Sequence, residues 1–276
     1  MIVECAPIAG YTDQEFRRAL IKAGAKVVYT EMVSVAALYF NKPTSKPYQK
    51  TLELLKFDPT PGVKTIVQIF GKDPKHFEHA IISGVLDGFD EININMGCPA
   101  NKIIKNGEGV ALMSKPVLAR EIIETCVKAA SDSVRSTQVP VSVKMRLGVK
   151  ITINKEQLIS FARMCESAGA NRLIVHGRYG EQGYGGAADW DTIGEVVRAV
   201  SIPVIANGDI RDRASAEKCL SVTGAAGVMV GRALLNFKKF DVVRKQYVIN
   251  EQGLTNFWRD YLCGVTLEVS PRQASS

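Results

Sequence analysis

The sequence predicts an α/β fold, a (β/α)8 TIM barrel followed by a short helical C-terminal segment, on three observations. First, eight short runs rich in Val and Ile punctuate the chain: "IVECAPIA" (2–9), "KVVYTEMV" (26–33), "KTIVQIFG" (64–71), "EININMG" (91–97), "VPVSVKMR" (139–146), "RLIVHGR" (172–178), "IPVIANGD" (202–209) and "AGVMVGR" (226–232). Second, stretches such as "DQEFRRALIKAG", "PKHFEHAIISGV", "PVLAREIIETCVKAA", "KEQLISFARMCESAG" and "DRASAEKCLSVTG" lie between them, with apolar residues at three- and four-residue spacing and Gly near their ends. Third, "ESAGANRLIV" and "VTGAAGVMV" pass from helix through Gly to strand with almost no loop. Eight such units in about 235 residues match a closed barrel, whereas a doubly wound sheet more often stops at five or six strands.

Taken in order, the first seven strands each hand over to a loop and a helical pattern. The stretch 34–60, with "YFNKPTSKPYQKTLELLKF", is too long for a plain helix and turn and is expected to form an elaborated second helix or a lid. Residues 1–237 are read as the barrel and catalytic domain. Residues 238–276 are read as a short C-terminal segment, in which "KKFDVVRKQYVI" looks helical, followed by "LTNFWRDYLCG" and the polar "SPRQASS".

Composition narrows the function classes. A chain of 276 residues, 46% hydrophobic and 23% charged, can bury a large core. No apolar run approaches the roughly eighteen residues of a membrane helix, and no basic-then-apolar leader opens the chain, so a cytoplasmic protein with no membrane partner is expected. The six cysteines, at 5, 98, 126, 165, 219 and 263, form no C-x-x-C pair or Cys/His cluster, which argues against a disulfide framework and structural zinc. A formal charge of +7 favours a polyanionic partner only mildly.

The strand ends carry the functional signal, because barrel chemistry occurs at the C-terminal ends of the strands. They read Pro7-Ile8-Ala9-Gly10, Glu31, Gln68, Asn95 with Cys98, Lys144 with Arg146, His176 with Arg178, Asn207-Gly208-Asp209, and Gly231-Arg232. Polar groups inside otherwise apolar strands cost about 1–3 kcal/mol each if left without a partner, so a polar, multidentate ligand is expected in the mouth. Gly at the junctions after strands seven and eight, with Arg232, fits a phosphate. Ser142, Lys144 and Arg146 alternate with Val141, Val143 and Met145, which puts the polar three on the interior face, where Lys144 would hold a negative charge. A lysine in a strand more often snorkels, and a lone histidine such as His176 is often a satisfied core residue. A free cysteine is most often a buried, inert thiol. Cys98, however, follows the end of its strand between Gly97 and Pro99, a turn that would project one thiol over the ligand.

Together, "APIAGYTD", "VQIFG", "EININMGCPANKI", "GEGVALM", "VSVKMRLG", "VHGRYGEQGYGGAADW", "IPVIANGDI" and "MVGRAL" resemble the FMN-dependent tRNA-dihydrouridine synthases, and the resemblance covers all eight strands. It implies FMN as cofactor, NADPH (or NADH) as reductant, the D-loop region of tRNA as partner, and a monomer. By the same resemblance Pro7, Ile8 and Ala9 lie beneath the flavin ring, and Gln68, Lys144 and His176 contact the ring or its tail. Asn207, Gly208, Asp209, Gly231 and Arg232 bind the phosphate. Cys98 corresponds to the catalytic acid, and Asn95, Arg146 and Arg178 to substrate-binding residues; Ile8 replaces the usual Met, a volume-conserving change. The chemistry is consistent with these assignments. The uracil C5=C6 bond, conjugated to the C4 carbonyl, accepts hydride at C6 if C5 is protonated from the other face. A thiol of ordinary pKa, about 8.5, is mostly protonated at neutral pH and can donate. The base must leave the RNA stack at a cost of a few kcal/mol. Lys42, Lys46, Lys102, Lys105, Lys238, Lys239, Arg244 and Lys245 are candidate phosphate contacts.

One departure bears on this reading. The family follows its barrel with a helical domain that grips tRNA, whereas here only about forty residues follow strand eight and the basic-aromatic signature of that domain is not found. A shortened, truncated or frameshifted end is expected, which weakens RNA binding more than flavin binding. Two alternatives stay open: a small-molecule flavin reductase of the dihydroorotate dehydrogenase-like class, and a flavin-loaded RNA-binding protein with little or no catalysis.

Overall fold

The computed structural model describes residues 1–132, 139–151, 154–241 and 246–262. Eight parallel strands, β1 (Ile2–Cys5), β2 (Val27–Ser34), β3 (Lys64–Phe70), β4 (Glu91–Met96), β5 (Val141–Met145), β6 (Leu173–His176), β7 (Val204–Asn207) and β8 (Gly227–Val230), run in the order β1-β8-β7-β6-β5-β4-β3-β2. The seam between β1 and β2 is bridged by side chains, Tyr29 Oη donating to Glu4 Oε2 at 2.7 Å. The barrel expected from the sequence is therefore the fold.

The described α-helices are α1 (Gln14–Ala23), α2 (Val35–Phe40), α3 (Lys46–Leu55), α4 (Pro74–Ile82), α5 (Asn101–Lys105), α6 (Pro116–Asp132), α7 (Lys155–Ser167), α8 (Trp190–Ala199), α9 (Arg213–Thr223) and α10 (Glu251–Leu262), with 3-10 helices at Gly109–Ser114 and Arg232–Phe237. Local chemistry sets their starts. Asp13, Ser34, Ser45, Asp73, Asn154, Asp189 and Asp212 each accept a hydrogen bond from a first-turn backbone N–H, a cap worth about 1 kcal/mol apiece. The stretch 34–60 resolves into two helices, α2 and α3, because Pro43 and the cap Ser45 interrupt it.

Inside the barrel, side chains stack in layers from the strand N-termini to the mouth. At the bottom Arg172 bonds both oxygens of Glu91 at 3.0 Å, the hydroxyl of Tyr29 at 2.8 Å, and Glu4. Above it lies an apolar layer of Ala6, Ile66, Ile174, Ile205 and Met229, all buried. The top layer is polar: Gln68, Asn95, Lys144, His176 and Asn207.

Two sequence expectations are corrected here. Residues 238–241 and 246–249 are strands where a helix was expected: β9 (Lys238–Asp241) pairs antiparallel with β10 (Gln246–Ile249), as suits their Phe, Tyr, Val and Ile content; the rest of that stretch, 242–245, lies outside the described residues. Lys238 is 3% exposed, its Nζ bonded to Tyr11 O at 2.8 Å and Asp13 Oδ2 at 2.5 Å, so it is not free to meet a phosphate. Arg244 and Lys245 lie outside the described residues. After the hairpin, α10 packs on α1, burying Leu254 and Trp258. Among the described residues, no helix is long and apolar enough to cross a membrane.

Candidate functional site

The strand ends open onto a cavity of about 570 Å³ at the barrel mouth, within the range of small-molecule and cofactor sites. Pro7, Ile8 and Ala9, Gln68, Asn95, Cys98, Lys144, Arg146, His176, Asn207, Gly208, Asp209, Gly231 and Arg232 all line it. The Pro7–Ala9 shelf is on the loop after β1 because the proline ends the strand's hydrogen bonding. Around the ring, the Cys98 turn after β4 is three strands away, on the far wall.

Asn95 builds that turn. Its Oδ1 accepts from the backbone N–H of Gly97 at 3.1 Å and of Cys98 at 2.9 Å, and its Nδ2 donates to Gln68 Oε1 at 2.9 Å. A chain of amides runs on, Gln68 Nε2 to Asn93 Oδ1 at 2.7 Å and Asn93 Nδ2 to Ser142 Oγ at 2.8 Å, so the turn is tied through the barrel interior. Arg146 holds the same turn, its Nε donating to Gly97 O at 2.9 Å while its Nη1 donates to Tyr179 O and Gly183 O. Gly109 supports the turn from below: its φ is +61°, and a Cβ there would lie 2.7 Å from Cys98 O. Among the described cysteines, Cys98 alone is not buried.

Positive charge dominates the centre. Lys144 Nζ, half-buried, has one acceptor, Asn207 Oδ1 at 3.1 Å. Burial, and then Arg146 beside it, pull the Lys144 pKa down to about 7. Burial and the nearby Lys144, Arg146, Arg178 and Arg232 push His176 down to about 2, so the ring is neutral. Arg178 Nη1 lies 3.3 Å from His176 Nε2, and because a guanidinium only donates, the imidazole proton sits on Nδ1. Among the described residues, Asp209 is the one carboxylate lining the wall. Burial opposes its ionisation, but hydrogen bonds from Arg178 and the Ala188 N–H hold its pKa below the usual range. It accepts from Arg178 at 2.8 Å and Arg232 at 2.7 Å.

Arg178 is where the structure departs from the sequence reading. It is 1% exposed and does not line the cavity; it clamps Asp209 and the carbonyls of Gly185 and Gly186 from behind. Glu31, also read as a mouth residue, is turned away to accept from the Gly10 N–H at 2.6 Å. The cause is a bulge: the β2–β3 register shifts between Tyr29 and Met32, which hands the mouth position to Met32. Tyr184 was also missed; from the glycine-rich loop its ring lies 5.9 Å from the Arg146 guanidinium and 5.2 Å from that of Arg232. Met229 lines the cavity too, although it occupies the β8 position the register places beside Asn207.

A flavin mononucleotide fits these residues. The cationic group of Lys144, Arg146 and Arg232 outnumbers the single Asp209 carboxylate and suits an anion. Gly231 leaves the wall open, since a Cβ there would meet nothing nearer than Ala6 Cβ at 3.5 Å. Asp209 spends its carboxylate on arginines, so what it can offer a phosphate is main-chain N–H.

Comparison with known proteins agrees with this geometry. Residues 4–241 match the family model described as dihydrouridine synthase (Dus). The "Probable tRNA-dihydrouridine synthase" of Rhodobacter capsulatus is 42% identical over 229 residues, 82% of this chain and 65% of that protein. The tRNA-dihydrouridine synthase B of Pseudomonas putida is 40% identical over 228 residues, 83% of this chain and 63% of that protein. The chain thus spans just under two thirds of the length of these relatives. A mandelate oxidase structure superposes with a TM-score of 0.57 at 19% identity, over 95% of this chain and 73% of that one, a likeness of fold alone.

Proposed function

Because the chain belongs to the dihydrouridine synthase family, we propose that it reduces the C5=C6 bond of uridines in tRNA to dihydrouridine, with FMN as cofactor and NADPH (or NADH) as the source of electrons. The observation that carries the reading is the half-buried Cys98 thiol, which lines the cavity on a turn fixed by Asn95 and Arg146, across from the Pro7–Ala9 shelf. FMN, when bound, would supply the hydride.

The protein's residues supply the rest. Pro7, Ile8 and Ala9 form an apolar seat, and Gln68 and His176 Nδ1–H offer donors to polar edges. Lys144, whose ammonium donates to Asn207 Oδ1, holds negative charge; binding an anion there would restore the proton that burial disfavours. Gly208, Gly231 and Arg232 accommodate a phosphate, and Arg178 holds Asp209 and the Gly185–Gly186 loop in place. Cys98 would deliver a proton to C5 as hydride reaches C6, which neutralises the enolate as it forms. Asn95 and Arg146 position that thiol through the backbone of its turn. Overall, uridine, NADPH and one proton become dihydrouridine and NADP⁺.

Nucleoside mass spectrometry of an unmodified tRNA transcript, incubated with the protein, FMN and NADPH, tests the reading. Dihydrouridine is the expected product. Consumption of NADPH with intact uridine would contradict it, and turnover of free pyrimidines in place of tRNA would favour the small-molecule reductase.

A further inference from the structure

Four rings from α2 and α4 meet near the surface, His76 largely covered, with its side chain 13% exposed and its Nε2 3.7 Å from Asp73 Oδ2. Phe40 is 71% exposed and Tyr39 43%. Tyr39 lies against His76 with centroids 4.3 Å apart and planes inclined by 33°, and meets Phe40 and His79 edge-on at 5.0 Å and 5.2 Å. Phe40 in turn meets His76 edge-on at 4.8 Å. Single exposed apolar residues are ordinary, but an exposed ring cluster built from two helices is not.

Its place in the fold is informative. The helix that packs behind β2 is α3; α2 leans instead on α4. The close approach depends on Gly71, where a Cβ would lie 2.5 Å from Val35 Cγ2 and 3.3 Å from the Phe77 ring. The next residue, Lys72, reaches Gly107 and influences Glu108, directly before the Gly109 that supports Cys98. The stretch from the α2–α4 contact at Gly71 through Lys72 thus reaches the loop that supports Cys98. Lys42, Lys72 and Lys75 are exposed on or beside α2 and α4, against the carboxylates of Asp73 and Glu78. Aromatic faces set among lysines beside a cavity are the chemistry of single-stranded nucleic-acid platforms, where bases stack and cations follow the backbone.

We propose that Tyr39, Phe40, His76 and His79 form a stacking platform for an unpaired base of the RNA whose target uridine enters the cavity. The inference rests on the RNA-directed reading above. Fluorescence anisotropy of the whole chain with two probes, an unmodified tRNA transcript and a short single-stranded oligouridine, tests it. Replacing both rings (Tyr39→Leu with Phe40→Leu) keeps apolar bulk and removes the stack. Affinity for both probes should fall about five- to 150-fold, while Phe40→Trp keeps or raises it. The slope of affinity against salt should not change, because no phosphate contact is removed, nor should FMN binding or NADPH oxidation. Equal RNA affinity in the leucine variant would overturn the platform. So would loss of self-association in light scattering with RNA affinity intact, which would assign the rings to a protein contact. The two readings separate cleanly: ring-dependent oligouridine binding without dihydrouridine formation keeps the platform and sinks the reaction, whereas dihydrouridine formation at limiting tRNA, equal in wild type and leucine variant, does the reverse.

Discussion

Gly109 sets the height of the Cys98 turn, and Gly109→Ala probes that support. The alanine would have to adopt a φ of +61°, which costs about 1–2 kcal/mol. Its Cβ would also lie 2.7 Å from Cys98 O, 2.8 Å from Ile103 Cγ2 and 3.1 Å from Cys98 Cβ, an overlap of the kind that costs about 1–3 kcal/mol when a packed site is overfilled. Gly10→Ala is the control, because Gly10 has a φ of +79° but nothing within 4 Å of its would-be Cβ; it should show the backbone cost alone. Thermal unfolding should put Gly109→Ala roughly 5–15 °C below wild type, with Gly10→Ala in between. The functional consequence is specific. Relief of the contact moves the turn by on the order of half an ångström, and since a 1 Å misplacement can cost about a hundredfold, oxidation of pre-reduced enzyme by tRNA should slow about tenfold. FMN affinity should hold, as Asn207–Asp209 and Gly231–Arg232 lie on other strands. A variant that melts low yet reacts with tRNA at the wild-type rate would refute the supporting role.

Lys144 makes a prediction about pH. Its pKa in the flavin-free fold is near 7, against about 10.4 unfolded, so the unfolded state binds more protons between these values. The cost of the charged lysine is therefore full below pH 7 and disappears as pH rises toward 10.4. In urea unfolding without flavin, Lys144→Met should be more stable than wild type at pH 6, with the gap narrowing above 7; parallel curves would count against a strained ammonium. Removing Arg178 should leave Asp209 short of its main partner: Arg178→Met is expected to cost about 3 kcal/mol or more in denaturant unfolding and to weaken FMN in titration. Unchanged flavin affinity would show that the clamp serves the fold and not the site.

The strands were legible because their Val and Ile runs recur between capped helices, and the mouth because polar residues broke those runs near their ends. What escaped the sequence has local physical causes. Its position near the end of a Val-rich run placed Glu31 in the mouth, but one extra residue in the β2 bulge moved Met32 there. Arg178 has the charge and the strand-end position of a ligand contact, yet its five donors are drawn to Asp209, His176 and two loop carbonyls that only folding brings near. Lys238 has the look of a surface cation, but the fold brings Asp13 and Tyr11 from the opposite end of the chain to cover it. The bottom layer of Glu4, Tyr29, Glu91 and Arg172 was likewise invisible, since the first three stand alone in separate strands and Arg172 just precedes β6. Tyr184 sat in a quoted loop but had no periodicity to mark it; only the two flanking guanidinium groups do.

The most direct measurement is a single-turnover comparison of wild type with Cys98→Ala and Cys98→Ser, each loaded with FMN, reduced with NADPH and mixed with unmodified tRNA. Loss of a positioned general acid slows proton transfer by about 10²- to 10⁴-fold. Dihydrouridine formation should therefore fall by that factor in the alanine variant, with flavin reduction unaffected in both. Dihydrouridine formed by Cys98→Ala at the wild-type rate would contradict the assignment of the thiol as the proton donor.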